Sequence, residues 1–146
     1  MSCGRTVIVV DASVLAPALA DDGDDGDRAR QRLRREHLTA PELVDLEVLS
    51  VLRRLTLAGR LPLRRAELAM SDLAALPLRR VTHRALAARC WELRDNLTVY
   101  DASYVALAEQ LQTVLVTADT RLAGAPGARC TIELMTSTPK EPGASR

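Results

Sequence analysis

The sequence predicts an α/β domain, a mostly parallel sheet with helices on both faces, and three observations predict it. Val7-Ile8-Val9-Val10 and Val114-Leu115-Val116-Thr117 are unbroken, β-branched-rich runs of the kind that form strands buried on both faces. Each run stops at or just before an aspartate, Asp11 in the first case and Asp119 in the second. Between them the apolar residues recur at helical spacing, so the order is strand, several helices, strand, short helix, strand. At 146 residues the chain is one domain with room for a sizeable core.

Taken in order, the first strand covers Thr6–Val10. Leu43, Leu46, Leu49, Leu52 and Leu55 then keep three-residue spacing with Val51 beside them, which predicts a helix over about 41–58. Pro41 stands where a first helical turn tolerates proline, and Gly59 where a C-terminal cap is expected. Leu63, Ala66, Ala69, Leu73 and Leu76 form a second stripe closed by Pro77; Leu86, Cys90, Leu93 and Leu97 form a third; Tyr104, Leu107, Ala108 and Leu111 form a fourth. The Val114–Thr117 strand follows, and Cys130–Met135 is a weaker third strand. The expected domain is therefore 1–135. Residues 136–146, with Pro139, Pro142 and Gly143 and no periodicity, read as a loose tail.

Composition narrows the class. A hydrophobic fraction of 47% and a charged fraction of 27% describe a folded chain. Aromatics are only Trp91, Tyr100 and Tyr104, so the core is aliphatic and a base-stacking single-strand binder is disfavoured. The net charge of +1 conceals an acidic cluster, Asp21, Asp22, Asp24, Asp25 and Asp27, set against a chain otherwise rich in Arg, with Lys140 its only lysine. Arginine forks match phosphate geometry, which suits a polyanionic partner. Arg28, Arg30, Arg32, Arg34 and Arg35 follow the acidic cluster, and acid-then-base order fits the dipole of a solvated helix. Cys3, Cys90 and Cys130 lack disulfide or zinc spacing and read as idle thiols in a reducing cytoplasm. No stretch has the length of a signal sequence or membrane span.

In a parallel sheet, ligand sites form beyond the carboxyl ends of the strands. Asp11 and Asp119 both fall there, with Ser13 and Thr117 two positions away from them. Carboxylates beside small hydroxyls suit a hard cation such as Mg²⁺. Glu47 has Leu43, Val44 and Val51 as helical neighbours and so faces partly inward, while Asp101 falls in the first turn of the fourth helix. Four acids at one sheet edge would repel one another unless a divalent cation or an arginine neutralised them. Taken singly each has a simpler role: Asp119 as a helix cap, Asp101 in a Thr98-x-x-Asp101 capping arrangement, Asp11 as a turn residue, Glu47 as an arginine partner. Glu42 and Asp45 compete with Glu47 for the helical position.

Val7-Ile-Val-Val-Asp11-Ala-Ser13, Pro41-Glu-Leu-Val-Asp-Leu-Glu47-Val-Leu-Ser-Val-Leu-Arg-Arg54, Tyr100-Asp101-Ala-Ser-Tyr-Val-Ala-Leu-Ala-Glu109 and Val116-Thr-Ala-Asp119-Thr-Arg-Leu122 occur in the order and spacing of a PIN-domain ribonuclease. They most resemble the VapC toxins of bacterial toxin–antitoxin pairs, over about residues 5–135. The resemblance implies a three-layer α/β/α sandwich. It assigns the acidic quartet to Asp11, Glu47, Asp101 and Asp119, with Ser13 and Thr117 as supporting hydroxyls. It implies hydrolysis of RNA phosphodiester bonds with Mg²⁺ or Mn²⁺, the ion held by Asp11, Asp101 and Asp119 with Glu47 assisting it or a second ion. It also implies a homodimer and a small VapB-type antitoxin, for which the stripes on 41–58 and 63–76 offer a groove.

Other readings fit less well. The Asp21–Asp27 run lacks the glycine and closing glutamate of an EF-hand and reads as a polar loop. A phosphoacceptor receiver domain needs a lysine near its acids, and a haloacid-dehalogenase-type phosphatase needs aspartate where Ser13 stands. His37 and His83 lie away from the motifs and read as surface residues. A PIN nuclease of RNA processing without an antitoxin, and a catalytically idle PIN scaffold that binds RNA or a partner, are the two alternatives within the fold.

Overall fold

A computed structural model describes residues 5–136. Its elements are β1 (Val7–Val10), α1 (Ala12–Ala20), α2 (Asp24–Leu33), β2 (His37–Pro41), α3 (Val44–Leu57), α4 (Leu63–Ala75), β3 (Leu78–Val81), a 3₁₀ turn (Arg84–Leu86), α5 (Ala87–Glu92), α6 (Val99–Leu111), β4 (Leu115–Thr117), α7 (Thr120–Ala123) and β5 (Ile132–Leu134). The five strands form one sheet in the order β3-β2-β1-β4-β5, every pair parallel. Crossover connections carry α1 to α4 along one face as the chain steps from β1 outward to β3. The return to β4 carries α5 and α6 to the other face, giving the three-layer α/β/α sandwich. Contacts agree: α1 packs on α2, α3 and α4, while α6 packs on α5, β1, β2 and β4.

The central strands are where the apolar runs place them. Ile8, Val9, Val10, Leu115 and Val116 are essentially without solvent contact. Helix α6 is buried continuously from Ala102 to Ala108, the all-round burial of a helix enclosed on every side. Of the aromatics only Tyr104 lies inside; Trp91 and Tyr100 are exposed. No described helix is long and apolar enough to cross a membrane.

The structure corrects three expectations. Pro41 is not in a first helical turn but ends β2, and α3 begins at Val44. A proline is acceptable there because it closes the strand, and the next residue resumes the ladder through Glu42 N–H to the Val81 carbonyl at 2.9 Å. The polar loop expected over Asp21–Asp27 is cut short, because α2 starts at Asp24 with Asp24, Asp25 and Asp27 in its first turn, where the dipole favours them. Two strands, β2 and β3, stand where no strand was expected. The loose tail expected from Thr136 onward lies, apart from Thr136 itself, outside the described residues.

Other expectations hold. His37 and His83 are exposed; the His83 Nε2 accepts from Leu43 N–H at 3.2 Å, just before α3. Cys90 and Cys130 are free thiols, and burial pushes both upward in pKa, toward inertness. Gly26 marks the closest approach of α2 to the chain before it: a Cβ there would overlap the Asp21 backbone carbonyl. Gly26→Ala is expected to cost about 2 kcal/mol, read as a lower urea midpoint at unchanged slope.

Candidate active site

The strand order reverses between β1 and β4, the point where a doubly wound sheet opens a crevice at its carboxyl edge. Asp11 N-caps α1 immediately after β1, held in the ladder by its N–H to the Val116 carbonyl at 3.0 Å. Its side chain is 6% exposed. Asp11 Oδ2 accepts from Ser13 Oγ at 2.6 Å and from Thr117 Oγ1 at 2.8 Å. The two hydroxyls read from the sequence as neighbours of different acids therefore converge on one. They also fix the loop after β4: Ser13 Oγ accepts from Ala118 N–H at 2.9 Å, tying α1 to it, and Thr117 Oγ1 accepts from Asp119 N–H at 3.1 Å.

Asp119 caps α7, its Oδ1 accepting from Arg121 N–H at 2.9 Å. The capping role and the place at the site thus coexist. In α6 the cap is Thr98, whose Oγ1 accepts from Asp101 N–H at 3.1 Å; this bond uses the Asp101 backbone and leaves its carboxylate unengaged by it. Glu47 points from α3 toward α6, where Tyr104 donates its phenolic O–H to Oε1 at 2.6 Å. Its competitors are placed elsewhere. Asp45 pairs with Arg80 at 2.7 Å, and Glu42 is exposed in the turn before α3.

All four acids line a single cleft of about 480 Å³, together with Ser13, Pro17, Ser50, Arg54 and Arg121. Burial lifts the Asp11 carboxyl above its ordinary range, against the two hydroxyl hydrogen bonds, and the Asp119 charge adds to the rise. Burial likewise lifts Glu47, opposed by the Tyr104 hydrogen bond and reinforced by Asp11 and Asp101. Asp101 is raised by burial and then by the charges of Asp11 and Asp119. Asp11, Glu47 and Asp101 are thus each made harder to ionise by burial and by neighbouring carboxylate charge.

The donor set is entirely oxygen, which matches a hard divalent cation. Among the described residues no three His, Cys, Asp or Glu side chains close into a ready-made metal cage. An open set of this kind suits Mg²⁺, which keeps several of its waters.

Tyr104 is a site residue that periodicity concealed, since it reads as one more member of an apolar stripe. The signal was available: in a chain without phenylalanine, a tyrosine at a core position brings a hydroxyl that needs a partner. Tyr104→Phe is expected to cost about 1.5 kcal/mol in thermal or urea unfolding, the worth of a hydrogen bond to a charged group. It should also raise the Glu47 pKa further, because the lost bond opposes the rise.

Comparison with known proteins matches residues 8–127 to the PIN domain. The chain is 45% identical over 129 residues to a VapC ribonuclease, Mb0985, of Mycobacterium bovis, covering 88% of this chain and 98% of that one. Among solved structures it resembles Mycobacterium tuberculosis VapC20, a sarcin-ricin loop cleaving toxin, with a TM-score of 0.62 and 17% identity over 79% of this chain and 92% of that one. It also resembles VapBC2 from Rickettsia felis, solved bound to a DNA fragment from their promoter, with a TM-score of 0.60 and 12% identity over 88% and 98%.

Proposed function

The chain belongs to the PIN domain family, and from that premise we propose that it is an endoribonuclease of the VapC kind, the toxin of a toxin–antitoxin pair. It hydrolyses RNA phosphodiester bonds in the cleft between β1 and β4. The observation that carries the reading is the placement of Asp11, Glu47, Asp101 and Asp119 on one cleft at the switch point of the sheet.

Asp11, Asp101 and Asp119 would hold Mg²⁺ or Mn²⁺, with Glu47 assisting. A divalent ion bound there supplies Lewis-acid polarisation of a phosphoryl oxygen and a more acidic water. The protein's own part is to fix the acids. Ser13 and Thr117 hold Asp11 through Oδ2, Thr98 sets the start of α6 beneath Asp101, and Tyr104 holds Glu47 through Oε1. Neither histidine lines the cleft, so no imidazole serves as base.

The partners are a small VapB-type antitoxin and a second copy of the chain, in the cytoplasm. The stripes expected to supply a groove divide: Leu52 of α3 and Ala66, Ala69 and Leu73 of α4 are buried, Leu43, Leu49, Val51, Leu55 and Leu76 are partly buried, and Leu46 and Leu63 are exposed. A partner would meet the exposed Leu46 of α3 and Leu63, Leu68 and Met70 of α4, beside a pocket of about 530 Å³ where Pro17, Ala20, Leu55, Leu61 and Pro62 are rimmed by Asp21, Asp22, Arg60 and Arg65. The test is to incubate the partner-free chain with total RNA and Mg²⁺ or Mn²⁺, beside an EDTA control. Discrete fragments lost in EDTA are expected; no cleavage by the folded chain with either metal would overturn the reading.

A further inference from the structure

The chain carries many arginines, and the structure separates those already engaged from those free to meet a ligand. Arg28 pairs with Asp25, Arg30 with Asp27, Arg32 with Glu133, Arg65 with Asp22, Arg80 with Asp45 and Arg89 with Glu109. The Arg-rich stretch after the acidic cluster is thus largely consumed by the fold. Among the described residues only Arg54 and Arg121 are arginines lining the acid cleft, and they stand on different elements, α3 and α7.

Arg54 follows Glu47 by seven residues on α3, about 10 Å along the same helix face, with Ser50 between them on the cleft wall. Among the described residues it makes no ion pair or side-chain hydrogen bond. Arg121 has one ionic neighbour, Asp119 at 3.7 Å, and its side chain is 91% exposed. Two cations therefore border four mutually repelling carboxylates without collapsing onto them. Arg54 is unpaired among the described residues and Arg121 makes one long contact, to Asp119, so both keep donors available to an occupant of the cleft.

We propose that Arg54 and Arg121 are substrate-positioning residues that grip RNA phosphates on opposite sides of the scissile one. The inference rests on the ribonuclease reading. The strand enters over α7, crosses the acids and leaves along α3. On that side the adjoining pocket shares Ala16, Pro17 and Val51 with the cleft; its charges are mixed, Arg60 beside Asp21 and the Asp22–Arg65 pair, so the phosphate grip is assigned to Arg54 and Arg121 alone. Guanidinium forks suit this task because they meet two phosphate oxygens at once.

The test uses the full chain carrying Asp101→Asn, so that RNA stays intact, and a fluorescein-labelled single-stranded RNA read by anisotropy across a salt series. Arg54→Gln and Arg121→Gln are each expected to weaken binding roughly tenfold at low salt and to reduce the slope of log affinity against log salt by about 0.7. Arg53→Gln, a neighbouring α3 residue outside the cleft lining, should change neither. In the cleavage-competent chain the two cleft variants should raise KM with little change in kcat, and the divalent-induced rise in Tm should match the wild type. Affinities and slopes equal to those of Arg53→Gln would overturn the assignment while leaving the ribonuclease intact. A parent chain that neither binds nor cleaves RNA would instead remove the reading beneath it. Variants that keep RNA affinity but lose binding to the co-expressed partner protein would overturn the phosphate clamp in favour of a protein contact.

Discussion

Asp101→Asn is expected to reduce RNA cleavage on the order of 10³-fold, about 4 kcal/mol of barrier, while leaving the fold as stable as before or more so. The substitution is close to isosteric and removes one charge from the cleft. It should not disturb α6, because the cap at Thr98 takes its hydrogen bond from the Asp101 backbone N–H, which asparagine retains. Thr98 also hydrogen-bonds the Asp101 carboxylate, and the amide oxygen of asparagine can still accept that bond. What disappears is repulsion from Asp11 and Asp119, part of what lifts the Asp101 carboxyl. Activity and stability are therefore expected to move apart, a pattern that damage to the fold cannot produce. The same change at Asp11 is less clean, since its Oδ2 accepts two hydroxyls and an amide could present a donor to them. Undiminished cleavage by a folded Asp101→Asn chain would remove Asp101 from the catalytic group.

How far the sequence reached depended on which residues each element could spend on its own periodicity. β1 and β4 were legible because both of their faces are covered and every residue is free to be apolar or β-branched. β2 and β3 were not. His37 and Pro41 bound the first, and the second is an edge strand that is half arginine, Leu78-Arg79-Arg80-Val81. Arg80 belongs there because Asp45 and the carbonyls of Leu73 and Leu78 satisfy its guanidinium, partners distant or local that no spacing rule reveals. The acids were legible because each marks a boundary, at a strand end or in a helical turn, where a core-facing explanation was weak. The resemblance already set Glu47 ahead of Glu42 and Asp45; what no pattern could show is their surroundings, a buried tyrosine bonded to Glu47 and an arginine paired with Asp45. Which arginines remain unpaired depends on long-range partners such as Glu133 and Asp22, and a sequence pattern carries no record of those.

The clustered carboxylates also predict how stability responds to metal and to pH. A divalent ion at a hundredfold over its Kd adds about 2.7 kcal/mol to the native state. That is roughly 5 to 10 °C in Tm for a chain of this size, measurable by scanning calorimetry and reversed by EDTA. Asp11, Glu47 and Asp101 have folded-state pKa values raised above their unfolded ones. Between those values the native chain holds more protons than the unfolded chain, so these three groups withdraw stability as pH rises through the window. Their full penalty is present above the raised folded-state values and is relieved as pH falls through the window, opposite in sign to the usual salt-bridged carboxylate. Metal and protons therefore compete for the same oxygens. The metal-induced rise in Tm should shrink as pH falls through that window and be strongly reduced in Asp11→Asn or Asp101→Asn; the metal-free Asp101→Asn chain should itself be more stable than wild type above the window. An equal rise in the wild type and in both variants would mean that the ion binds elsewhere on the chain, and the acids would then owe their raised pKa values to burial without a cation to offset it.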